Sequence, residues 1–465
     1  MQNFFDDKTF LTNNVARELY AQVKDLPIYD YHCHLDPREI YENRRFDDIG
    51  TLWLEADHYK WRVMRNYGVS EECITGGANY KRKFIAFASA LPSFAGNPVY
   101  HWAHLELKKY FGITEPLTAE NAEDIWNRTK EIMSDGSFCA RELIVRSGVD
   151  TVITTDDPVS DLKYHKLLKC EEKRFKVLPC FRPDKSINIT APDFTEYIKT
   201  LSGASGIIID SIESLILALE NRLDYFVENG CRVADMSFEN FPNANYSIDK
   251  ANDAFKASFL FDRNEQADYD FNSYRFVVIA ELMKLFAKKG IAVQIHTGVV
   301  RNQNTKRYKE LGADSGIDSV GNALDIVAGA RLFDLVEQEG GLPRTIVYTL
   351  NPNSYYPLAT MIGDFAGESR GKMQLGAAWW FMDHRDGIRE QLKVFANTSG
   401  LGLFNGMLTD SRSFVSYARH DYFRRILCSV VGEWVEAGEY PSDHAKKLVA
   451  DIAYNNAKNY FGGKK

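Results

Sequence analysis

The spacing of apolar positions along this chain changes twice. Residues 9–25 carry apolar side chains three and four apart, which predicts a short amphipathic helix. It delivers the chain to PIYDYHCHLD (27–36), a run rich in β-favouring residues. The period then turns helical for more than a hundred residues. Segments 46–68, 80–91, 99–111 and 119–147 are rich in Trp and Tyr and are broken at Gly76-Gly77, Pro92 and Pro98. After residue 150 short apolar runs alternate with helical stretches. The runs lie at 151–155, 176–181, 231–236, 291–296, 344–350, 373–381 and 403–408, and helices at 211–228, 273–289, 322–338 and 385–397 separate most of them.

Strands that alternate with helices predict βαβ units and a parallel sheet. With the first run the count is about eight, the number that closes a (β/α) barrel. The expected fold is therefore α/β, a (β/α)8 TIM barrel. A helical insertion follows strand one, at about 38–147, and two extra helices, about 412–436 and 441–461, end the chain. No low-complexity linker or internal repeat divides it, so residues 1–465 are expected to form a single domain.

Composition adds exclusions. The chain is 45% hydrophobic and 26% charged, as ordinary globular proteins are, and its formal charge is −8. That balance argues against nucleic acid or an anionic membrane as a partner, although local arginines can still bind a small anion. Seven scattered cysteines with no CxxC pair predict reduced thiols. The N-terminus MQNFFDDKTF has neither a basic flank nor an apolar core, and no apolar run reaches membrane-spanning length, so a cytoplasmic location is expected.

In a (β/α) barrel the active site lies at the C-terminal ends of the strands. Strand one ends in His32 and His34, two apart and therefore on one face, with Cys33 on the other. The fifth strand ends in His296, and the eighth ends in Asp410, with Arg412 two residues on. Three imidazoles and a carboxylate at one rim suit a single divalent metal, which needs about three protein ligands and an open position. Singly, each has a plainer reading: strand-end histidines, a core histidine, a helix N-cap. Their coincidence at equivalent strand ends favours the metal. Arg182, after the third strand, and Arg412 offer planar forks that match a carboxylate, or else close surface salt bridges. Trp379 and Trp380 end the seventh strand, where an aromatic face can carry a sugar or simply fill core. Tyr59, in DHYKWR (57–62), has polar neighbours among which a phenol can pass a proton.

These residues sit in longer motifs: YDYHCHLDP (29–37), DHYKWR (57–62), GNPVYHWAHLEL (96–107), FRPDK (181–185), VQIHTGVVRNQN (293–304), GAAWWF (376–381) and LTDSRS (408–413). Together they resemble the uronate isomerases (glucuronate isomerases), a branch of the amidohydrolase superfamily, over nearly the whole chain. The resemblance implies a TIM-barrel enzyme that interconverts D-glucuronate with D-fructuronate and D-galacturonate with D-tagaturonate. It implies His32, His34 and Asp410 as principal metal ligands, with His296 near the metal or its water. It implies Tyr59, Arg182 and Arg412 as substrate contacts, and leaves room for a homo-oligomer. The fourth strand offers Asp235 but no lysine for carbamylation, and the sixth ends without a histidine. Both features point to one metal, zinc as the default for nitrogen and oxygen donors with manganese or iron as alternatives, and weaken the rival reading of a metal-dependent hydrolase of a small anion. The isomerase reading makes Asp410 or a metal-bound hydroxide the base, with Tyr59 assisting transfer between oxygens.

Overall fold

The computed structural model describes residues 4–260 and 269–462. Seven short strands in it pair in parallel, and each follows from an apolar run. They are β1 (Ile28–Asp30), β2 (Val149–Ile153), β3 (Lys176–Leu178), β4 (Val233–Phe238) and β5 (Ala292–Thr297), then, after a small hairpin of β6 (Val299–Val300) and β7 (Ser319–Val320), β8 (Thr345–Thr349) and β9 (Met373–Leu375). The pairing runs β1-β2-β3 and β4-β5-β8-β9. Single parallel bridges from Phe181 to Asp156 and Ala234 join the two sheets.

The alternation with helices holds as expected. Phe271–Lys289, Ile326–Gln338 and Arg385–Thr398 are helices, capped by Asp270, Asp325 and His384. Segment 119–147 divides in two, Ala122–Met133 and Ala140–Arg146, on either side of Gly136, whose φ of 81° is left-handed. Segment 46–68 divides at Asp57, which caps the helix His58–Tyr67 by accepting from the backbone of Tyr59 and Lys60. That cap fixes Tyr59 in the first turn. Helices Lys163–Glu171, Phe194–Ser205, Ile248–Ala257 and Tyr355–Gly363 are additional to the sequence reading.

Two expected strands are shorter or absent. The run 373–381 is strand only to Leu375; Gly376 N–H still donates to the Val347 carbonyl of β8 (2.7 Å), and only glycine fits there, since a Cβ would stand 2.1 Å from Tyr348 Cδ1. The run 403–408 forms no strand. Leu401–Leu403 is a 3-10 turn, and the chain then passes Gly406, at φ 73°, where a Cβ would meet the Ile452 carbonyl at 2.2 Å. Side chains replace the ladder here. Gln374 bonds the Leu403 carbonyl (3.1 Å) and the Asn405 amide (3.2 Å) on the β9 side. On the β1 side Asp30 accepts from the amide and hydroxyl of Thr409 at 2.9 and 2.5 Å. Asp410 N–H then donates to the His32 carbonyl (3.1 Å) and His34 N–H to the Ser411 carbonyl (3.0 Å), which brings the ends of the two segments together.

Candidate functional site

His32 and His34 stand two apart at the end of β1, and their Nε2 atoms converge on one oxygen. Asp410 Oδ1 is 3.2 Å from His32 Nε2 and 3.0 Å from His34 Nε2. Ligands about 2.1 Å from a common metal in tetrahedral array stand roughly 3.4 Å apart, so these three atoms fit one ion. The second nitrogen of His34 lies 2.8 Å from Thr155 Oγ1, a contact that keeps Nε2 turned to the site. Trp379 Nε1 donates to Asp410 Oδ2 at 2.5 Å and orients the carboxylate. Asp410 itself has φ 45°, a left-handed conformation for a non-glycine residue. Strain of this kind gathers at working sites, where the surroundings enforce it.

The neighbouring strand ends add a second layer. His296, on β5, donates from Nδ1 to Asp235 Oδ1 of β4 (2.7 Å), and its ring stacks on Tyr348 of β8 with centroids 4.4 Å apart. Asp235 is fully buried and also faces Arg182 Nε (3.4 Å) and His32 Nδ1 (3.9 Å) through Oδ2. Among the described residues His296 Nε2 and His32 Nδ1 are buried without a hydrogen-bond partner. Two sets thus have metal-ligating spacing: His32, His34 and Asp410, and His32, Asp235 and His296. The first suits a cation better. Asp235 already answers the Arg182 guanidinium, which a dication beside it would oppose.

The charge states follow from these contacts. Burial works against charge on His32, yet the carboxylates of Asp235 and Asp410 outweigh it and raise its pKa. Burial wins at His34, whose pKa falls to about 4 despite Asp410. Asp410 is buried too, but its bonds to His32 and His34 hold it well below the usual carboxylate range. Asp410 and His34 thus rest in the state a metal requires, and a metal binding at His32 would displace the proton that the two carboxylates favour there.

Arg182 is anchored through Nε alone, to Asp184 Oδ2 (2.9 Å) and Asp235. Among the described residues its two terminal nitrogens make no hydrogen bond, so the fork is free. Arg412 pairs with Asp314 Oδ2 at 3.0 Å and is the more exposed of the two. A cavity of about 200 Å³ opens beside the cluster, lined by His34, Asp410, Arg412, Tyr59 and Arg419 among others. A larger hollow of about 760 Å³, near Asp184 and Arg275, touches none of the ligand set. Trp379 and Trp380 are both buried and line neither; Trp380 packs on His58, with centroids 5.0 Å apart. They fill and orient, and the open aromatic face expected for a sugar is not what the structure presents.

Sequence reasoning missed four contributors. Asp235 is the third residue of β4 (Val233–Phe238), short of the strand end where the rule looks for chemistry, and only its contact with His296 sets it apart. Asp383 follows the Trp-Trp-Phe motif by two residues. Thr155 and Arg419 carry no signal in their spacing.

An α/β scaffold that gathers two histidines and an acid around one point, beside a cavity with an arginine in its wall, defines an enzyme with a site able to hold a metal. The family model for glucuronate isomerase matches residues 1–461. A uronate isomerase of Caldanaerobacter subterraneus subsp. tengcongensis is 50% identical, with 99% of this chain and 100% of that one aligned. The crystal structure of a uronate isomerase from Thermotoga maritima is 33% identical with a TM-score of 0.92, over 99% of this chain and 100% of that one. That of a glucuronate isomerase from Caulobacter crescentus is 27% identical with a TM-score of 0.89, over 98% and 97%. The chain belongs to the glucuronate isomerase family. Among the described residues no helix is long and apolar enough to cross a membrane.

Proposed function

We propose that this protein is a uronate isomerase which interconverts D-glucuronate with D-fructuronate and D-galacturonate with D-tagaturonate. The scaffold in this reading is one domain, a (β/α)8 barrel in which segment 404–411 takes the eighth place. The observation that carries it is the convergence of His32, His34 and Asp410 beside a cavity that Tyr59 and Arg412 also line.

His32, His34 and Asp410 would hold one divalent ion, zinc by its donor set, with His296 next to it. Bound there, the metal supplies a Lewis acid for the substrate's carbonyl and hydroxyl oxygens. The rest falls to the chain. Arg182 receives the substrate carboxylate on its free fork and fixes the sugar's reacting end over Asp410. Asp410 takes the proton from C2 and returns it to C1. Tyr59 moves a proton between the two oxygens, and burial keeps its phenol well above its ordinary pKa, hence protonated when idle. Arg412, tied to Asp314, closes the exposed side of the cavity.

The test is incubation of the purified enzyme with glucuronate and galacturonate, with and without a chelator. Ketose of unchanged mass is expected from both, and none after chelation. Cleavage of the substrate would instead mark a hydrolase. Arg182→Met should lower kcat/KM for uronates by roughly 10²-fold or more, the cost of leaving a charged group without its partner. Turnover of a neutral aldose should change far less. Equal losses on both substrates would remove Arg182 from the carboxylate.

A further inference from the structure

Tyr59 and Asp383 lie 324 residues apart in sequence and meet inside the protein, where the phenol donates to Asp383 Oδ2 at 3.0 Å. Asp383 is 6% exposed, and its other oxygen is buried with no hydrogen-bond partner among the described residues. A half-satisfied carboxylate costs stability, which a merely structural acid would avoid. Arg419 faces the pair. It is buried, with its guanidinium carbon 5.0 Å from the Tyr59 ring centroid and 4.0 Å from that of Trp102. It also donates to the Thr409 carbonyl, next to Asp410, at 3.1 Å. Tyr59 and Arg419 line the cavity that His34 and Asp410 share.

This arrangement resolves a difficulty at Tyr59. A buried phenol resists ionisation, and so cannot give up its proton unless another reaches its oxygen in the same step. Asp383 is placed to take it.

We propose that Tyr59 and Asp383 are a proton-relay pair: Asp383 stores the phenol's proton while Tyr59 Oη accepts one from a substrate hydroxyl. The substrate O–H bond breaks as a new O–H forms on Tyr59 Oη. The old phenolic O–H breaks as one forms on Asp383 Oδ2. The reverse shift protonates the neighbouring sugar oxygen, so protons balance over a turnover and no electrons change owner. Asp383 acts through Tyr59 and is a positioning residue. Burial, opposed by Arg419, raises its pKa to about 6, which suits a carboxylate that must accept and release a proton near neutrality. The inference rests on the isomerase reading of this cavity.

The experiment compares Asp383→Asn, Tyr59→Phe and the double variant on glucuronate. Asp383→Asn should lower kcat by ~10²-fold with KM and bound metal unchanged, and the double variant should be no slower than the slower single. Wild-type kcat in Asp383→Asn, losses that multiply, or loss of metal would each overturn the relay. Should Asp383→Asn fail to fold, the native enzyme still decides. Two protons moving together predict a bowed dependence of kcat on the D2O fraction, and a straight line overturns the proposal. Native enzyme that turns over neither uronate would overturn the function itself, a result distinct from all of these.

Discussion

Replacing His32 or His34 by Ala is expected to remove bound metal and isomerase activity together. Each imidazole supplies one Nε2 to the point shared with Asp410 Oδ1, at 3.2 and 3.0 Å. Loss of either leaves two donors, too few to hold a divalent ion tightly. Activity should fall by roughly 10³-fold or more, since a Lewis acid contributes several kcal/mol to stabilising the developing charge. The fold should survive. The contacts that join this strand to segment 409–411 use the His32 carbonyl and the His34 amide, which alanine retains. Elemental analysis beside kinetics checks the prediction, with one metal per native chain. Unchanged metal in both variants would exclude this site. Two ions per native chain would assign the second set, His32, Asp235 and His296, a role that the Arg182 guanidinium beside Asp235 opposes.

The clustering of His32, His34 and Asp410 was legible because its rule is local. Alternation along a strand places His32 and His34 on one face, and the strand-end rule draws His296 and Asp410 to the same rim. The helical insertion was legible from its period. What escaped was whatever depends on contacts between distant segments. Residues 403–408 have the apolar pattern of a strand, but Gln374 bonds Leu403 and Asn405 while Asp30 bonds Thr409 just beyond the run, and no local pattern announces that substitution. The 324-residue separation of Tyr59 and Asp383 hides their pairing in the same way. Trp379 shows the limit from another side. An aromatic at a strand end suggests a sugar platform, and only the structure shows its indole N–H bonded to the Asp410 carboxylate at 2.5 Å. Spacing identifies which residues share a face; it does not identify what each nitrogen or oxygen is bonded to.

Asp410→Asn should separate two duties that the native carboxylate combines. Asparagine is the substitution of choice because it tolerates the left-handed conformation at φ 45°, where alanine would be strained. Its amide oxygen can still accept from Trp379. As a neutral donor it binds metal more weakly, so the variant must be assayed with zinc supplied until one ion is bound per chain. With the metal restored, turnover should remain ~10³-fold below native, because an amide cannot accept the C2 proton at neutral pH. Uronate deuterated at C2 gives the decisive reading. Native enzyme should release part of the label to water, since the proton rests on Asp410 before it reaches C1. The metal-loaded variant should release none. Label that still washes out from the variant would show that another group removes the proton, leaving Asp410 a ligand only.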